Sequence, residues 1–203
     1  MHKPSIELLS FYDNAVKHAT AECYGIDPNT LNLVPRVVKQ NHLAILRHGF
    51  ATVRISNISR VCGRQILRKA HADYLERSQR YFELSTPFFI LPNTIESLKD
   101  GNDEEKSLYA RIQEHLYTSS CIYKELRNKG IRKEDARYIF PQAIETSIVM
   151  SGNLQMWWDF FNLRINKRVQ KETVEVAKAI LNKFVEQSDV FKLHPKYSEV
   201  IDE

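Results

Sequence analysis

The sequence predicts an α+β fold, a mixed or antiparallel sheet combined with long helices. Three observations carry that expectation. Strand-like and helix-like segments follow one another irregularly, without the βαβ alternation of a parallel sheet. Phe50-Ala51-Thr52-Val53-Arg54-Ile55 alternates with the period of two that marks a half-buried strand. Leu108, Ile112, Leu116, Ser119, Tyr123 and Leu126 instead recur at helical spacing, the stripe of a long amphipathic helix.

Taken in order, Ile6 to Leu9 is a short apolar run suited to an opening strand. Asp13 then stands where a helix would be capped, and Gly25 stops that helix after Tyr24. Asp27-Pro28-Asn29 reads as a turn. Pro35, suited to a first helical position, opens a second helix that runs to Arg47 and ends at His48-Gly49. After the alternating strand, Ser56 or Asn57 is expected to cap a helix with Arg60, Arg64 and Arg68 on one face. Ile58, Val61, Cys62, Ile66 and Leu67 lie on the other. Pro87 and Pro92 hold Phe88 to Leu91 extended, and Lys99 to Asp103 is loop-like before the long helix, which ends ahead of Gly130. A short helix covers Lys133 to Tyr138, and Ile144 to Met150 reads as a buried strand. Asn153 caps a helix from Leu154 to Leu163 that is apolar almost all round, so it must be buried in the fold or in a subunit interface. A last helix spans Gln170 to Val185, and the tail from Ser188 carries no clear signal.

The chain has 203 residues, 43% hydrophobic and 27% charged, values that fit one globular domain over 1–203 and argue against disorder. A net charge of +4 is compatible with an anionic ligand but far from a polycation. Three scattered cysteines give neither a disulfide framework nor a zinc pattern, and they suit a reducing compartment. With no membrane-length apolar run and no secretory leader, the expectation is a soluble cytoplasmic protein. No Gly-x-Gly-x-x-Gly or Walker-type loop, no paired-histidine metal motif and no serine elbow is present.

The stretch Arg68-Lys69-Ala70-His71-Ala72-Asp73-Tyr74-Leu75-Glu76-Arg77-Ser78-Gln79-Arg80-Tyr81 gathers cations behind the Arg60, Arg64, Arg68 stripe. Like charges so close need an anionic counterpart. Three readings are open on spacing alone: the protein's own acids (Asp73, Glu76, Glu83), a nucleic acid, or a small phosphate-bearing ligand.

These residues resemble the flavin-dependent thymidylate synthases. That family's signature is Arg-His-Arg, seven residues, then Ser, usually continuing to Arg-Tyr. Here Arg68-Lys69-Ala70 is followed by seven residues, Ser78, and Arg80-Tyr81. Ala136-Arg137-Tyr138-Ile139-Phe140-Pro141 is similar to the family's Ala-Arg-x-x-Leu-Pro. Asn153 to Arg164 with Gln170 resembles its Asn-x-Arg…Leu-Arg…Gln block, and Ile6 to Cys23 its opening strand and helix.

The resemblance implies a homotetramer with sites between subunits, which would account for the all-round apolar helix. It implies reductive methylation of dUMP to dTMP, with 5,10-methylenetetrahydrofolate giving the carbon and FAD, reduced by NADPH, giving the hydride. It assigns Gln65, Arg68, Glu76, Ser78, Arg80, Arg137 and Arg164 to dUMP. Thr52, Arg68, Lys69, Ala70, Glu76, Asn153, Gln155 and Asp159 fall on the FAD side. Arg164, at the uracil edge, Ser78 and His48 are the catalytic candidates, and no metal is implied. The partner expected is a pyrimidine nucleotide, with neither membrane nor nucleic acid. A related enzyme acting at C5 of UMP or dCMP, or a non-catalytic homologue binding nucleotide or nucleic acid, is the alternative.

The departures from the family pattern cluster. Lys69 and Ala70 replace His and Arg, Leu75 replaces Asn, Gln155 replaces Arg, and Asp159 stands where Asn or His is usual. All lie on the flavin side, while the nucleotide-side positions match. Losing two guanidiniums, at about 1.5–3 kcal/mol per charge-assisted hydrogen bond, would weaken FAD binding by roughly 10² to 10⁴-fold unless other groups compensate.

Overall fold

The computed structural model describes residues 3–84 and 86–201. Its centre is one sheet of four strands, β1 (Ser5–Tyr12), β2 (Phe50–Ser59), β3 (Asp73–Glu76) and β4 (Glu145–Asn153), in the order β1-β2-β4-β3. Every pairing is antiparallel, so the mixed option falls away. The helices are α1 (Asn14–Tyr24), α2 (Leu33–Lys39), α3 (Arg60–Ile66), α4 (Asn93–Glu96), α5 (Asp103–Asn128), α6 (Lys133–Ala136), α7 (Leu154–Arg164), α8 (Lys171–Gln187) and α9 (Ser198–Ile201). Among the described residues no helix is long and apolar enough to cross a membrane.

One face of the sheet makes the core. Ala51, Val53 and Ile55 of β2 and Ile148 and Met150 of β4 point inward and are buried, as period-two alternation requires. Against them lies α7, with Leu154, Met156, Trp157, Trp158, Phe160 and Phe161 all buried. These six side chains are covered by this chain's own sheet, α8 and tail without a subunit interface, while Leu163 at the end of the apolar run stays 54% exposed. Trp157 donates its indole N–H to the Ala51 carbonyl at 3.2 Å and meets Phe160 and Phe184 edge-on. The signal-poor tail proves integral: Phe191 is fully buried, and His194, 2% exposed, packs on Trp158 and Phe161.

Several expected boundaries move. Strand β2 continues to Ser59 through a register break between Ile55 and Ile58, where Asn57 takes a left-handed φ of 57°. Ser59, and neither Ser56 nor Asn57, caps α3 by accepting from the Cys62 N–H. Ile58 thus reaches the core from the strand, and α3 ends at Ile66, leaving Arg68 beyond it. The second helix stops at Lys39, interrupted by Asn41 with φ 62°, and a 3-10 turn covers Leu43–His48. Strand β3 gave no separate signal in the sequence. It forms because β4 offers Ile148 to Ser151 an unpaired edge, which Asp73 to Glu76 fills.

Other expectations stand. Gly25 ends α1 in the left-handed conformation, Gly130 has φ +80°, and Asn153 caps α7 through Met156 N at 2.8 Å. Helix α5 begins earlier than its apolar stripe, at a reciprocal capping box between Asn102 and Glu105. Only Leu116, Ser119 and Tyr123 of that stripe are buried, and Tyr123 belongs to a small second core with Leu84, Ala136 and Ile144.

Candidate active site along β3 and helix α3

Three segments converge at one end of the sheet, because β2 starts there, β4 ends there and β3 starts there. Phe50 pairs with Asn153, and Ser151 lies between Thr52 and Asp73. Thr52 Oγ1 is 3.1 Å from Ser151 Oγ. The turn carrying Lys69, Ala70 and His71 approaches Gly152, where a Cβ would strike Met156 and lie 3.6 Å from the His71 carbonyl. Across the strand ends, Leu154 N donates to the Gly49 carbonyl at 3.0 Å, and Arg47 Nε donates to Gln155 Oε1 at 2.6 Å. Thr52, Lys69, Ala70, Asn153 and Gln155, which the resemblance assigns to FAD, therefore share one neighbourhood with the exposed His48. Asp159 lies further along α7, where its charge acts on His194.

The C-terminal end of α3 builds a second cluster. Arg164, the last residue of α7, donates Nη2 to the Gln65 carbonyl at 2.7 Å. The Gln65 side chain is held in turn by Gln170 and by Thr173, whose hydroxyl is 3.3 Å away. Arg164 Nε is buried without a hydrogen-bond partner, and no ion pair engages Arg164 among the described residues. Burial, and then repulsion from the neighbouring Arg68, lower the Arg164 pKa from its ordinary value. Tyr74 hydrogen-bonds the Lys69 carbonyl at 2.8 Å, and burial raises its phenol to about 12 despite the nearby Arg164. The Cys62 thiol is also pushed up to about 12, by burial first and then by Glu172. It is therefore no thiolate nucleophile at neutral pH.

The far end of β3 is different. Glu76 meets Arg60 at 3.5 Å and accepts from Thr146 Oγ1 at 3.1 Å, and Arg77 is paired with Glu145. A cleft of about 440 Å³ opens beside them, lined by Arg60, Arg64, Gln79, Arg137, Tyr138 and Phe140 among others. Arg137 is oriented by its Nε bond to the Glu134 carbonyl at 3.1 Å. Ser78 Oγ accepts from Arg80 N at 3.3 Å, and the Arg80 side chain is exposed.

Within one chain, then, Gln65, Arg68 and Arg164 gather at the end of α3, and Arg137 lines the cleft that runs beside Arg60 and Arg64. Arg80 joins neither set of contacts. The cationic stretch divides as well: Arg60 and Arg77 meet the protein's own carboxylates, whereas Arg64, Arg68 and Arg80 make no ion pair among the described residues. Sequence reasoning passed over Arg64 and Gln79 as site residues, although the four-residue spacing of Arg60 and Arg64 marked their common face. It also passed over Glu172, which accepts from Ser59 N and Ser59 Oγ, both at 2.6 Å, and so pins the start of α3 to α8. No local pattern could have revealed that pair, since its members lie 113 residues apart.

Comparison with known proteins agrees over most of the chain. The profile of the family described as thymidylate synthase complementing protein matches residues 7–188. The flavin-dependent thymidylate synthase of Pyrococcus furiosus is 34% identical over 161 residues, 77% of this chain and 63% of that protein. That of Pyrococcus horikoshii is 32% identical over 188 residues, covering 90% and 73%. A probable flavin-dependent thymidylate synthase of Paramecium bursaria Chlorella virus 1 is 31% identical over 163 residues, covering 76% and 75%. The chain thus spans under two thirds of the Pyrococcus furiosus protein's length.

Proposed function

The chain belongs to the thymidylate synthase complementing protein family, and on that premise we propose that it is a flavin-dependent thymidylate synthase. Its reaction is the reductive methylation of dUMP to dTMP, with 5,10-methylenetetrahydrofolate as carbon donor and NADPH as reductant. FAD, when bound, carries the hydride from NADPH to the new one-carbon unit. An activity drawing on reduced folate and pyridine nucleotide belongs in the cytoplasm.

The observation that carries this reading is Arg164: a half-buried cation with an orphaned Nε, repelled by Arg68 and without a carboxylate partner among the described residues. A buried guanidinium left in that state calls for an anionic ligand. C5 of uracil must act as the nucleophile toward the electrophilic one-carbon unit, and a fixed guanidinium at the uracil edge stabilises the enolate-type negative charge on the ring oxygen that makes it one, without reorganising. Gln65 holds Arg164 in place through its carbonyl. The resemblance assigns Arg68, Glu76, Ser78, Arg80 and Arg137 to the rest of dUMP. Burial keeps the Cys62 thiol protonated, so no cysteine adduct to the ring enters the scheme.

FAD suits the donors at the sheet end. Thr52 offers a hydroxyl, Lys69 an ammonium, His48 an exposed imidazole, and Gly152 lets the chain pass close. Since Arg164 is not among the residues lining the cleft that holds Arg137, we propose that a second copy completes the site within a homotetramer. Tyr138 on the cleft wall, 82% exposed, and Leu75 and Tyr81, 77% and 80% exposed, support such contacts.

The test is direct. Purified protein with FAD, NADPH, methylenetetrahydrofolate and dUMP should yield dTMP, while UMP and dCMP should not be modified. Turnover of UMP or dCMP instead would move the assignment to a related C5-modifying enzyme. No product from any nucleotide would refute the catalytic reading.

A further inference from the structure

Set against the family pattern, positions 70 and 155 have lost their guanidiniums, which leaves the flavin end of the site short of cations. The structure returns one from a segment the motifs do not include. Arg47, in the 3-10 turn Leu43–His48, sends Nε to Gln155 Oε1 at 2.6 Å across 108 residues of chain. Both of its Nη groups remain without a hydrogen-bond or ion-pair partner among the described residues. With Lys69, the two cations lost are matched by two gained, at different positions.

We propose that Arg47 is a cofactor-binding residue of this chain, its guanidinium holding the diphosphate of FAD while Gln155 fixes its orientation. This rests on the flavin reading above. Three features support it. Diphosphate is the anionic part of FAD, and a guanidinium fork is suited to phosphate oxygens by paired hydrogen bonds. A free surface arginine must give up rotamer freedom on binding, whereas the Gln155 bond has already restricted this one. Its base is also rigid: the adjoining Gly49 carbonyl takes Leu154 N at 3.0 Å, and a Cβ at Gly49 would run into the Leu154 side chain. The competing account is that Arg47 only ties the 3-10 turn to α7. That account predicts an effect on stability and none on ligand selectivity.

The experiment titrates the full chain, stripped of flavin, with FAD, ADP and riboflavin. Arg47→Ala should weaken FAD and ADP binding each by about 10- to 100-fold, the loss of one charge-assisted hydrogen bond. Riboflavin, which lacks the diphosphate, should bind as before. Exchanging the two residues, Arg47→Gln with Gln155→Arg, should restore most of the FAD affinity by returning the guanidinium to the family's position. Equal FAD affinity in wild type and Arg47→Ala, or an equal loss for riboflavin, would overturn the assignment while leaving the flavin reading intact. A wild-type protein that binds none of the three would overturn both.

Discussion

His194 should make this protein lose stability steeply in mild acid. The residue is 2% exposed and lies against Trp158 and Phe161. Its tautomer is dictated by its neighbours. Lys196 N donates to Nδ1 at 3.0 Å, so that nitrogen must keep its lone pair, and Nε2–H donates to the Trp158 carbonyl at 3.0 Å. A second ring proton would face the Lys196 N–H inside a nonpolar site. Accordingly the pKa falls from 6.5 to about 4, chiefly through burial, with the Trp158 bond and Asp159 opposing and Lys196 adding to the fall. The folded form therefore binds fewer protons than the unfolded chain between those two values, and stability rises with pH there. Its contribution is complete above pH 6.5 and is lost as pH falls toward 4. At 1.36 kcal/mol per unit, the loss between pH 7 and pH 5 comes to about 2 kcal/mol, or a drop in melting temperature of roughly 4–8 °C. Thermal and urea unfolding of wild type and His194→Gln, at one protein concentration and across pH 7.5 to 4.5, measures it. The glutamine variant should be less stable at pH 7 but should lack this slope. An unchanged slope in the variant, or an NMR titration of His194 with its midpoint near 6.5, would refute the reasoning.

Arg164→Met should abolish turnover yet leave stability within about 1 kcal/mol of wild type, because the lost Gln65 bond is offset by removing a buried orphan donor and a repulsive charge. Paired activity and melting measurements check this, and a collapse in stability would show the residue to be structural. Glu172→Ala should cost about 3 kcal/mol in urea unfolding, since it removes two charge-assisted bonds to Ser59 and frees the start of α3. Of the three cysteines, exposed Cys23 should react quickly with a thiol reagent in the native protein, and buried Cys62 only after denaturant is added. Peptide mapping after timed labelling identifies which thiol has reacted. Cys62→Ala should keep its activity.

Elements governed by neighbours in sequence were legible without coordinates. Gly25 and Gly130 end helices because only the left-handed conformation is needed there, and Asn153 caps α7 within three residues of itself. The alternation of β2 and the all-apolar circumference of α7 stated which surfaces must be buried. What buries them was not stated: α7 is covered by α8 and by a tail without periodicity, where Phe191 and His194 complete the core.

By itself the sequence determined the family and the chemistry on offer, because both reside in residue types at fixed spacing: the Arg68 to Tyr81 stretch, Arg137 with its proline, and Arg164 after Asn153. The tertiary structure alone decided which of these groups face one another. Strand β3 exists only because β4 has an edge to fill, Glu172 meets Ser59 and Arg47 meets Gln155 only once distant segments pack, and Arg137 lines a cleft whose walls do not include Arg164. Local propensity acts over a few residues, whereas a site is assembled by hydrogen-bonding and burial demands that no short window of sequence contains.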